Sequence, residues 1–578
     1  MNKSKFLFII FILLVGAFLR FYKLDWGEGI FSHPDEYHIV SSVSQLSFPH
    51  QMHPHFFSYG TVTIYLIYFT QELLKFFSSS FKPDPSMLNS ILNPFIIGRF
   101  YSALFSSLTI LIVYKICLFF MQRRFAYLTA LLVALTPGLI QQAHFATPES
   151  TLTFFLFGSL LFIIKFLKHN KILFLALASV FLGFALGVKI SSIVLLLPLV
   201  ITTIIKSYSK NLSFKTPILF IKQTLQKLLK FTSFMLIIII ITTATFFLAA
   251  PYVFLDFQAF KGNLDYEGSI ATGTYLAFYI RQFINTMPVL FQMEKILPYA
   301  LGPILLLFSV LGSIFCLIYF IRKPKAELFI LILSFLSLFL TNAFLFAKWT
   351  RFIAPTFPFF AIFAVFLLDK LYTKARFLSN LLTIVLLVTT FLWTAAFFSI
   401  YLHPDVRITA SNWIEKNFPK NSTILIEGGN MTDIPLKGNF KRIGFDFYNL
   451  EEDAQTRSKI AGGLEESDYF LVQSRRVFMN HQRLPKIFPK TANFYDALFS
   501  GGMGFEQINE FHSYPMLQIA CPPIADALGI CRRGEWKLEI PDETAEETWS
   551  VFDHPVIRVF KKKIHLISND YEKFFEKQ

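Results

Sequence analysis

The run FLFIIFILLVGAFL, residues 6–19, opens the chain with an uninterrupted apolar stretch that ends at Arg20. Similar runs recur as far as residue 401, several of them near the ~20 residues that cross a bilayer as a helix. Of the 578 residues, 54% are hydrophobic and only 16% are charged, whereas soluble domains carry about 25% charged residues. The mean hydropathy is +0.52. The sequence therefore predicts a polytopic α-helical membrane protein.

The first apolar run is interpreted as an uncleaved helix, because no small-residue signal-peptide cleavage site follows it. We predict about eleven transmembrane helices in total. They are residues 6–22, 95–120, 126–143, 150–168, 172–187, 190–205, 231–250, 298–321, 327–346, 352–371 and 378–401. The stretch 172–205 is too long for one helix, so the chain is expected to turn a hairpin at Gly187-Val188-Lys189.

The net charge of +15 is explained by membrane topology rather than by nucleic-acid binding, because many basic residues lie in short loops between apolar runs. Segment 56–77 decides the topology, since it is apolar enough to span but contains Gln71, Glu72 and Lys75. The basic loops all fall on the side of the N-terminal lysines only if segment 56–77 does not span the membrane. We therefore predict an interfacial or re-entrant helix there, a cytoplasmic N-terminus and an extracytoplasmic C-terminal region of a plasma-membrane protein.

The composition changes after about His403, which predicts two domains: residues 1–401 in the membrane and residues 402–578 outside it. The second is expected to be a soluble α/β or α+β domain, because helical and strand patterns mix in it. We expect an amphipathic helix at 408–418 and strands at 422–427, 469–473 and 556–560.

Two glycine pairs of this domain, Gly428-Gly429 and Gly462-Gly463, are interpreted as turns. Cys521 and Cys531 also lie in it. They would pair only in an oxidising compartment, and their spacing alone does not decide whether a disulfide forms.

Adjacent carboxylates follow the first helix, in the stretch GIFSHPDEY at residues 29–37. A solvated loop is the ordinary explanation, but acids beside a membrane are costly unless water, a cation or a substrate uses them. Pro34 stiffens the approach to Asp35 and Glu36, and Tyr37 adjoins them. The predicted topology gathers further ionisable residues at the same outer face: Arg99, His144, Glu149, Lys189, Lys348 and Arg351. This set predicts an active site at the membrane surface.

Six short motifs resemble, in their order along the chain, the dolichyl-phosphate-mannose–protein mannosyltransferase superfamily. These family 39-like enzymes are polyprenyl-phosphate-dependent glycosyltransferases of the GT-C fold. The motifs are FLRFY at 18–22, Asp35-Glu36, GRFYSAL at 98–104, HFATPES at 144–150, GFALGVK at 183–189 and RFIAPTFP at 351–358. The resemblance covers roughly residues 6–400 and implies a GT-C fold with a polyprenyl-phosphate sugar as donor. The family usually has Asp where this chain has Glu149.

The resemblance implies that Asp35 is the general base that takes the proton of an acceptor hydroxyl. Glu36 or Glu149 would orient the acceptor or bind a cation. Three basic residues would stabilise the charge of the departing phosphate: Lys189, Arg99 and Arg351. His144 and Tyr37 are expected to contact substrate. Direct displacement would invert the anomeric centre, although the nearby acids leave a retaining mechanism open.

Alternatives to these roles remain at this stage. Lys189 is equally explained as a lysine that snorkels from a helix end, and Arg99 can instead pair with Asp35 or Glu36. No cofactor is assigned, and a divalent cation is left open. The acceptor is a lipid, a glycan or a protein, with membrane lipids as neighbours and no nucleic acid.

The alternative function is a transporter or lipid flippase. That function predicts ionisable residues near the bilayer midplane, whereas most charges here lie at helix ends.

Overall fold

The computed structural model describes residues 3–81, 84, 89–208, 217–428, 433–519 and 536–576, so Cys521 and Cys531 lie outside the described residues. The chain divides into two compact units. The first comprises residues 1–24, 35–274 and 287–394, and the second comprises residues 25–34, 275–286 and 395–578. The two segments 25–34 and 275–286 thus group with the C-terminal residues, whereas the sequence prediction assigned them to the membrane domain.

Helices make up most of the first unit. Their bounds are Lys3–Phe21, Pro34–Ser44, Val62–Phe81, Pro94–Cys117, Arg123–Leu135, Pro137–Ala143, Glu149–His169, Ile172–Val188, Leu196–Tyr208, Pro217–Ala249, Tyr252–Leu255, Phe257–Thr272, Leu290–Lys295, Leu297–Leu301, Pro303–Arg322, Ala326–Ala343, Thr350–Ile353, Phe357–Tyr372 and Arg376–Leu402. Short 3₁₀ helices lie at Ile190–Leu195 and Ala354–Thr356.

Within the described residues, eight helices are long and apolar enough to cross a membrane, and the bent pair Arg123–Leu135 and Pro137–Ala143 makes nine if it is one span. Leu7–Phe21 and Ile172–Val188 are apolar but shorter. Each of the eleven predicted segments therefore has a helical counterpart, although eleven spans are not confirmed. The chain is a multi-pass membrane protein. Segment 56–77 corresponds to a helix outside the eight, and its interfacial location stays a prediction.

A buried arginine supports the bend in that helix pair. Proline at the start of Pro137–Ala143 lacks an N–H, and the axis turns by 54° between it and Arg123–Leu135. Arg20 is fully buried and donates hydrogen bonds to the carbonyl oxygens of Val133, at 3.0 Å, and Ala134, at 2.8 Å. The carbonyl groups that lose helical partners at the bend therefore keep a hydrogen-bond donor. In apolar surroundings an unsatisfied carbonyl group would cost free energy.

The second unit is built on a mixed sheet. The strands are β1 (Thr423–Gly428), β2 (Lys441–Asp446), β3 (Tyr469–Val472), β4 (Phe505–Phe511), β5 (Met516–Ile519), β6 (Trp536–Glu539) and β7 (Ile557–Lys562). In the part of the chain that is described, five strands form the larger sheet in the order β2-β1-β3-β7-β4. β1 is parallel to β2 and β3, while β7 is antiparallel to β3 and β4. β5 and β6 form a separate antiparallel pair.

Helices cover this sheet on both faces. Their bounds, with two 3₁₀ segments, are Phe278–Phe283, Val406–Asn417, Phe447–Asn449, Ala454–Glu466, Phe478–Gln482, Pro489–Phe499, Glu547–Ser550 and Ser568–Lys573. Alternate strand residues point to opposite faces, so Ile424 and Leu425 belong to two different buried clusters. The predicted helix and three strands of the C-terminal region are confirmed to within a few residues, and the sheet confirms the predicted mixed class.

The interpretation of Gly462-Gly463 as a turn is wrong. Both residues lie inside the helix Ala454–Glu466. A Cβ atom on Gly463 would come within 2.8 Å of the Phe445 ring, so this glycine lets the helix approach the sheet closely. Packing, not a turn, explains the residue. In the other pair, Gly428 ends β1 and Gly429 lies outside the described residues.

A buried histidine of this unit makes stability depend on pH. His554 lies between Asp553 Oδ1, 2.6 Å from Nδ1, and Asp542 Oδ2, 3.0 Å from Nε2. Trp549 Nε1 donates to the same Asp542 oxygen, and Tyr401 donates its hydroxyl to Asp553. Burial alone would lower the histidine pKa, but the two carboxylates outweigh it and raise the pKa from 6.5 to about 10.

Because the folded-state pKa of His554 exceeds the unfolded value, its stabilisation is fully present below pH 6.5 and is lost as the pH rises through about 10. We expect the melting temperature of the detergent-solubilised full chain to fall across this window. His554→Gln should melt lower near neutral pH and show a flatter pH profile. Parallel profiles for the two proteins would contradict this account.

Candidate active site

Asp35 lies in the first turn of the helix Pro34–Ser44. Proline suits the first helical position, and a carboxylate there is stabilised by the helix dipole. The Asp35 side chain is 14% exposed, and its Oδ2 pairs with Nη1 of Arg351. Arg351 comes from the short helix Thr350–Ile353, and its guanidinium carbon lies 4.7 Å from the centre of the Trp349 ring. Two site candidates that are far apart in the sequence are therefore in direct contact.

Glu36 has different partners, because successive helical residues point about 100° apart. Its carboxylate accepts two hydrogen bonds from Arg99, from Nε at 2.8 Å and from Nη2 at 2.9 Å, and a third from the backbone N–H of Ala146 at 2.6 Å. Arg99 also donates to the carbonyl oxygen of Leu24 at 2.8 Å. The structure thus pairs Arg99 with Glu36, which is one of the two acids named as its alternative partners in the sequence.

This pairing seals both charged groups in the interior. The side chains of Glu36 and Arg99 are each 0% exposed. The predicted contacts of Glu36 with an acceptor and of Arg99 with a donor phosphate stay predictions. The ion pair ties the helix that carries Asp35 to the helix Pro94–Cys117.

Glu149 and Lys189 form a second carboxylate–cation pair. Glu149 begins the helix Glu149–His169 and is 1% exposed, while Lys189 follows the end of the helix Ile172–Val188 and is 15% exposed. Lys189 Nζ lies 3.4 Å from Glu149 Oε1 and 4.7 Å from the centre of the Phe352 ring. The hairpin lysine is thus directed at a buried acid, which its explanation as a snorkelling lysine does not account for.

Lys189 and Arg351 line the same pocket. Its other polar residues are Ser191, Ser192, Asn342 and Thr356. Its apolar residues are Leu152, Leu156, Leu338, Phe352 and Pro355. The pocket encloses about 20 Å³, which is room for a water molecule, so a larger ligand requires it to open. Two cations beside hydroxyl groups and apolar walls are the chemistry that meets an anionic group attached to a hydrocarbon chain.

The backbone before Lys189 is held by a glycine that the sequence reasoning missed. The N–H of Gly60 donates to the carbonyl oxygen of Val188 at 2.9 Å. A Cβ atom on Gly60 would lie 1.9 Å from the carbonyl oxygen of Gly187, so no other residue allows this approach without movement. Gly187 is part of the GFALGVK motif, but nothing near Gly60 in the sequence indicated the contact.

His144 and Tyr37 do not join the pocket lining. His144 is fully buried, with Nδ1 at 2.9 Å from the Ile140 carbonyl oxygen and Nε2 at 3.1 Å from the Tyr22 carbonyl oxygen. Both ring nitrogens therefore face backbone carbonyl oxygens, and the predicted contact of His144 with substrate stays a prediction. Tyr37 is 53% exposed and lies next to His38, so its predicted substrate contact stays a prediction.

The acids of the site do not fit a divalent cation. Among the described residues, no group of three or more His, Cys, Asp or Glu side chains is placed to hold a metal ion. Each candidate acid already pairs with a basic side chain: Asp35 with Arg351, Glu36 with Arg99, and Glu149 with Lys189. The negative charge of each of these carboxylates is therefore already balanced by a cation, which weakens its attraction for a metal ion.

Residues 93–237 match the family model of dolichyl-phosphate-mannose-protein mannosyltransferase. This confirms, over that stretch, the resemblance carried by the motifs that contain Arg99, Glu149 and Lys189. No curated protein sequence matches the chain.

Three solved structures are similar in fold. An oligosaccharyltransferase of Archaeoglobus fulgidus, tethered to an acceptor peptide containing the NVT sequon, gives a TM-score of 0.50 at 13% identity, over 97% of this chain and 89% of that one. The enzyme AglB from the same organism, in complex with an inhibitory peptide and a dolichol-phosphate, gives a TM-score of 0.48 at 13% identity, over 82% of this chain and 70% of that one. ArnT from Cupriavidus metallidurans, bound to undecaprenyl phosphate, gives a TM-score of 0.46 at 13% identity, over 96% of this chain and 98% of that one.

The first of these likenesses shows a shared fold and, at 13% identity, nothing beyond the fold. The other two are weaker, and no conclusion rests on them. The predicted fold class is confirmed: a polytopic helical protein with the GT-C fold and a sheet-containing C-terminal region.

Proposed function

We propose that this chain is a membrane glycosyltransferase that moves a sugar from a polyprenyl-phosphate carrier to an acceptor hydroxyl. The observation that carries the proposal is the pocket lined by both Lys189 and Arg351, each of which also pairs with a carboxylate. Acids supply a base for the acceptor, cations stabilise a departing phosphate, and apolar walls suit a lipid chain. The shared fold agrees with this class but does not select the sugar or the acceptor.

In the proposed reaction, Asp35 accepts the proton as the acceptor oxygen bonds to the anomeric carbon. The bond from that carbon to the phosphate oxygen breaks, and the phosphate leaves with an additional negative charge. Lys189 and Arg351 interact more strongly with that charge than with the intact donor, which lowers the barrier rather than only tightening binding. One displacement of this kind inverts the anomeric centre.

Glu36 and Arg99 act in this proposal by holding the helix that carries Asp35 in place. Their buried ion pair and the hydrogen bond to the Ala146 N–H support this role. Glu149 holds Lys189 at the pocket. Reaction geometry is sensitive to displacements of about 1 Å, so such supports matter to the rate.

The distribution of basic loops supports a reaction at the outer face of the cytoplasmic membrane. If the lysines and arginines of those loops are cytoplasmic, Asp35, Glu149, Lys189 and Arg351 all fall on the opposite side. The N-terminus would then be cytoplasmic and residues 402–578 extracytoplasmic. Proteolysis of right-side-out and inverted membrane vesicles tests this orientation, since only one preparation should lose the C-terminal region.

The enzyme activity is tested by incubating the purified, detergent-solubilised chain with labelled polyprenyl-phosphate sugars and candidate lipid, glycan and protein acceptors. Transfer of label to one acceptor class, with an inverted anomeric configuration by NMR, is the expected result. Failure with every donor, together with solute or lipid flux in proteoliposomes, would favour the transporter instead.

A further inference from the structure

Both cations of the pocket are engaged by acids of the chain itself. Arg351 pairs with Asp35, the proposed base, and Lys189 pairs with Glu149. A carboxylate oxygen that accepts a guanidinium N–H has less capacity to accept the proton of an incoming hydroxyl. Each cation that would bind the phosphate is therefore paired with a carboxylate, and one of those carboxylates is the proposed base.

A third group in the pocket points to a ligand. The hydroxyl of Ser192 is 1% exposed and has no hydrogen-bond partner within the described part of the chain. Ser192 lines the pocket and follows Lys189 within one turn, its backbone N–H donating to the Lys189 carbonyl oxygen at 3.0 Å. A buried hydroxyl with no partner is destabilising, so the protein gains by presenting it to an acceptor atom that the ligand supplies.

Glu149 offers a related observation. Its Oε1 faces Lys189, whereas its Oε2 is buried and has no hydrogen-bond partner among the residues that the structure describes. The single contact, at 3.4 Å, is long for a charge-assisted hydrogen bond, which usually measures about 2.7–2.9 Å. Lys189 is therefore weakly held by Glu149.

Building on the proposed function, we infer that donor binding exchanges these ion pairs. The phosphate of the carrier takes Arg351 from Asp35 and Lys189 from Glu149, and it accepts a hydrogen bond from Ser192 Oγ. Asp35 is thereby released to act as base only when a donor is present. A phosphate competes well for both cations because its oxygens accept from several donors at once, and it gains charge as the sugar departs.

The exchange predicts that removing either of the two paired carboxylates strengthens phosphate binding. Without the competing negative charge, Arg351 or Lys189 is available to the ligand at no cost of breaking an ion pair. The probe is farnesyl phosphate, measured by calorimetric titration of the detergent-solubilised full chain, with farnesol as the uncharged reference. Asp35→Asn and Glu149→Gln should each bind farnesyl phosphate roughly three- to tenfold more tightly than the wild type.

Two further variants complete the experiment. Ser192→Ala should bind farnesyl phosphate about threefold or more weakly, with farnesol binding unchanged, because it lacks the hydroxyl donor. Glu72→Gln is the matched control, since Glu72 pairs with Lys75 at an exposed position and does not line the pocket. Its affinity for farnesyl phosphate should equal that of the wild type.

Unchanged or weaker binding by both Asp35→Asn and Glu149→Gln would overturn the exchange, while transfer by the wild type could still stand. Unchanged binding by Ser192→Ala would remove Ser192 from the phosphate site. A wild type that does not distinguish farnesyl phosphate from farnesol would reject the exchange and the donor class together. Tighter binding by the variants, without transfer from any donor, would support the exchange and reject the proposed reaction.

Discussion

Asp35→Asn is expected to lower the rate of sugar transfer by about 10²- to 10⁴-fold, the range by which a positioned general base accelerates a reaction. The amide keeps the size of the side chain but cannot take a proton from the acceptor. Because the loss arises in the transition state, kcat should fall while the KM for the acceptor changes little. Initial rates with saturating donor measure this effect.

Asp25→Asn is the matched control for that variant. Asp25 is an exposed acid ten residues earlier in the chain, and the same substitution there should leave transfer unchanged. Equal turnover by Asp35→Asn and the wild type would exclude Asp35 as the base. A product with a retained anomeric configuration would instead make a carboxylate the nucleophile.

Glu36→Ala is expected to destabilise the protein by about 3–5 kcal/mol, the usual cost of removing one member of a buried ion pair. The substitution removes the carboxylate that pairs with the fully buried guanidinium of Arg99, and it removes the acceptor of the Ala146 N–H. The free energy of unfolding, measured by denaturant titration in detergent, should fall by this amount.

Glu72→Ala provides the comparison, because the exposed pair of Glu72 and Lys75 should contribute at most about 1 kcal/mol. If Glu36→Ala retained wild-type stability and yet lost transfer, Glu36 would regain the catalytic role that its burial argues against. We expect Glu36→Ala to lose stability and to lose transfer activity in proportion.

Much of the membrane architecture was accessible from local sequence. A helix that crosses apolar surroundings must satisfy its backbone internally and present apolar side chains along about 20 residues, so each such segment is visible without its neighbours. The same holds for the hairpin lysine, because Lys189 interrupts a single apolar run. Short strand-like runs likewise predicted three strands of the C-terminal sheet.

Pairing was decided only by the tertiary structure. Asp35 and Glu36 are neighbours of the same type, yet one meets Arg351 at the pocket and the other meets Arg99 in the interior. The sequence could not say which acid faces inward, since that depends on how the helix is rotated against its neighbours. The contact of Gly60 with the chain before Lys189 was invisible for the same reason.

The sequence by itself determined where this chain is apolar enough to form membrane helices and which chemically capable side chains lie at their ends. The tertiary structure alone decided which of those charges oppose each other, which are sealed in the interior, and which line one pocket. Hydrophobicity acts over a local stretch of chain, whereas an ion pair such as that of Asp35 and Arg351 depends on distances of a few ångströms between remote segments. Only the packing of the helices sets those distances.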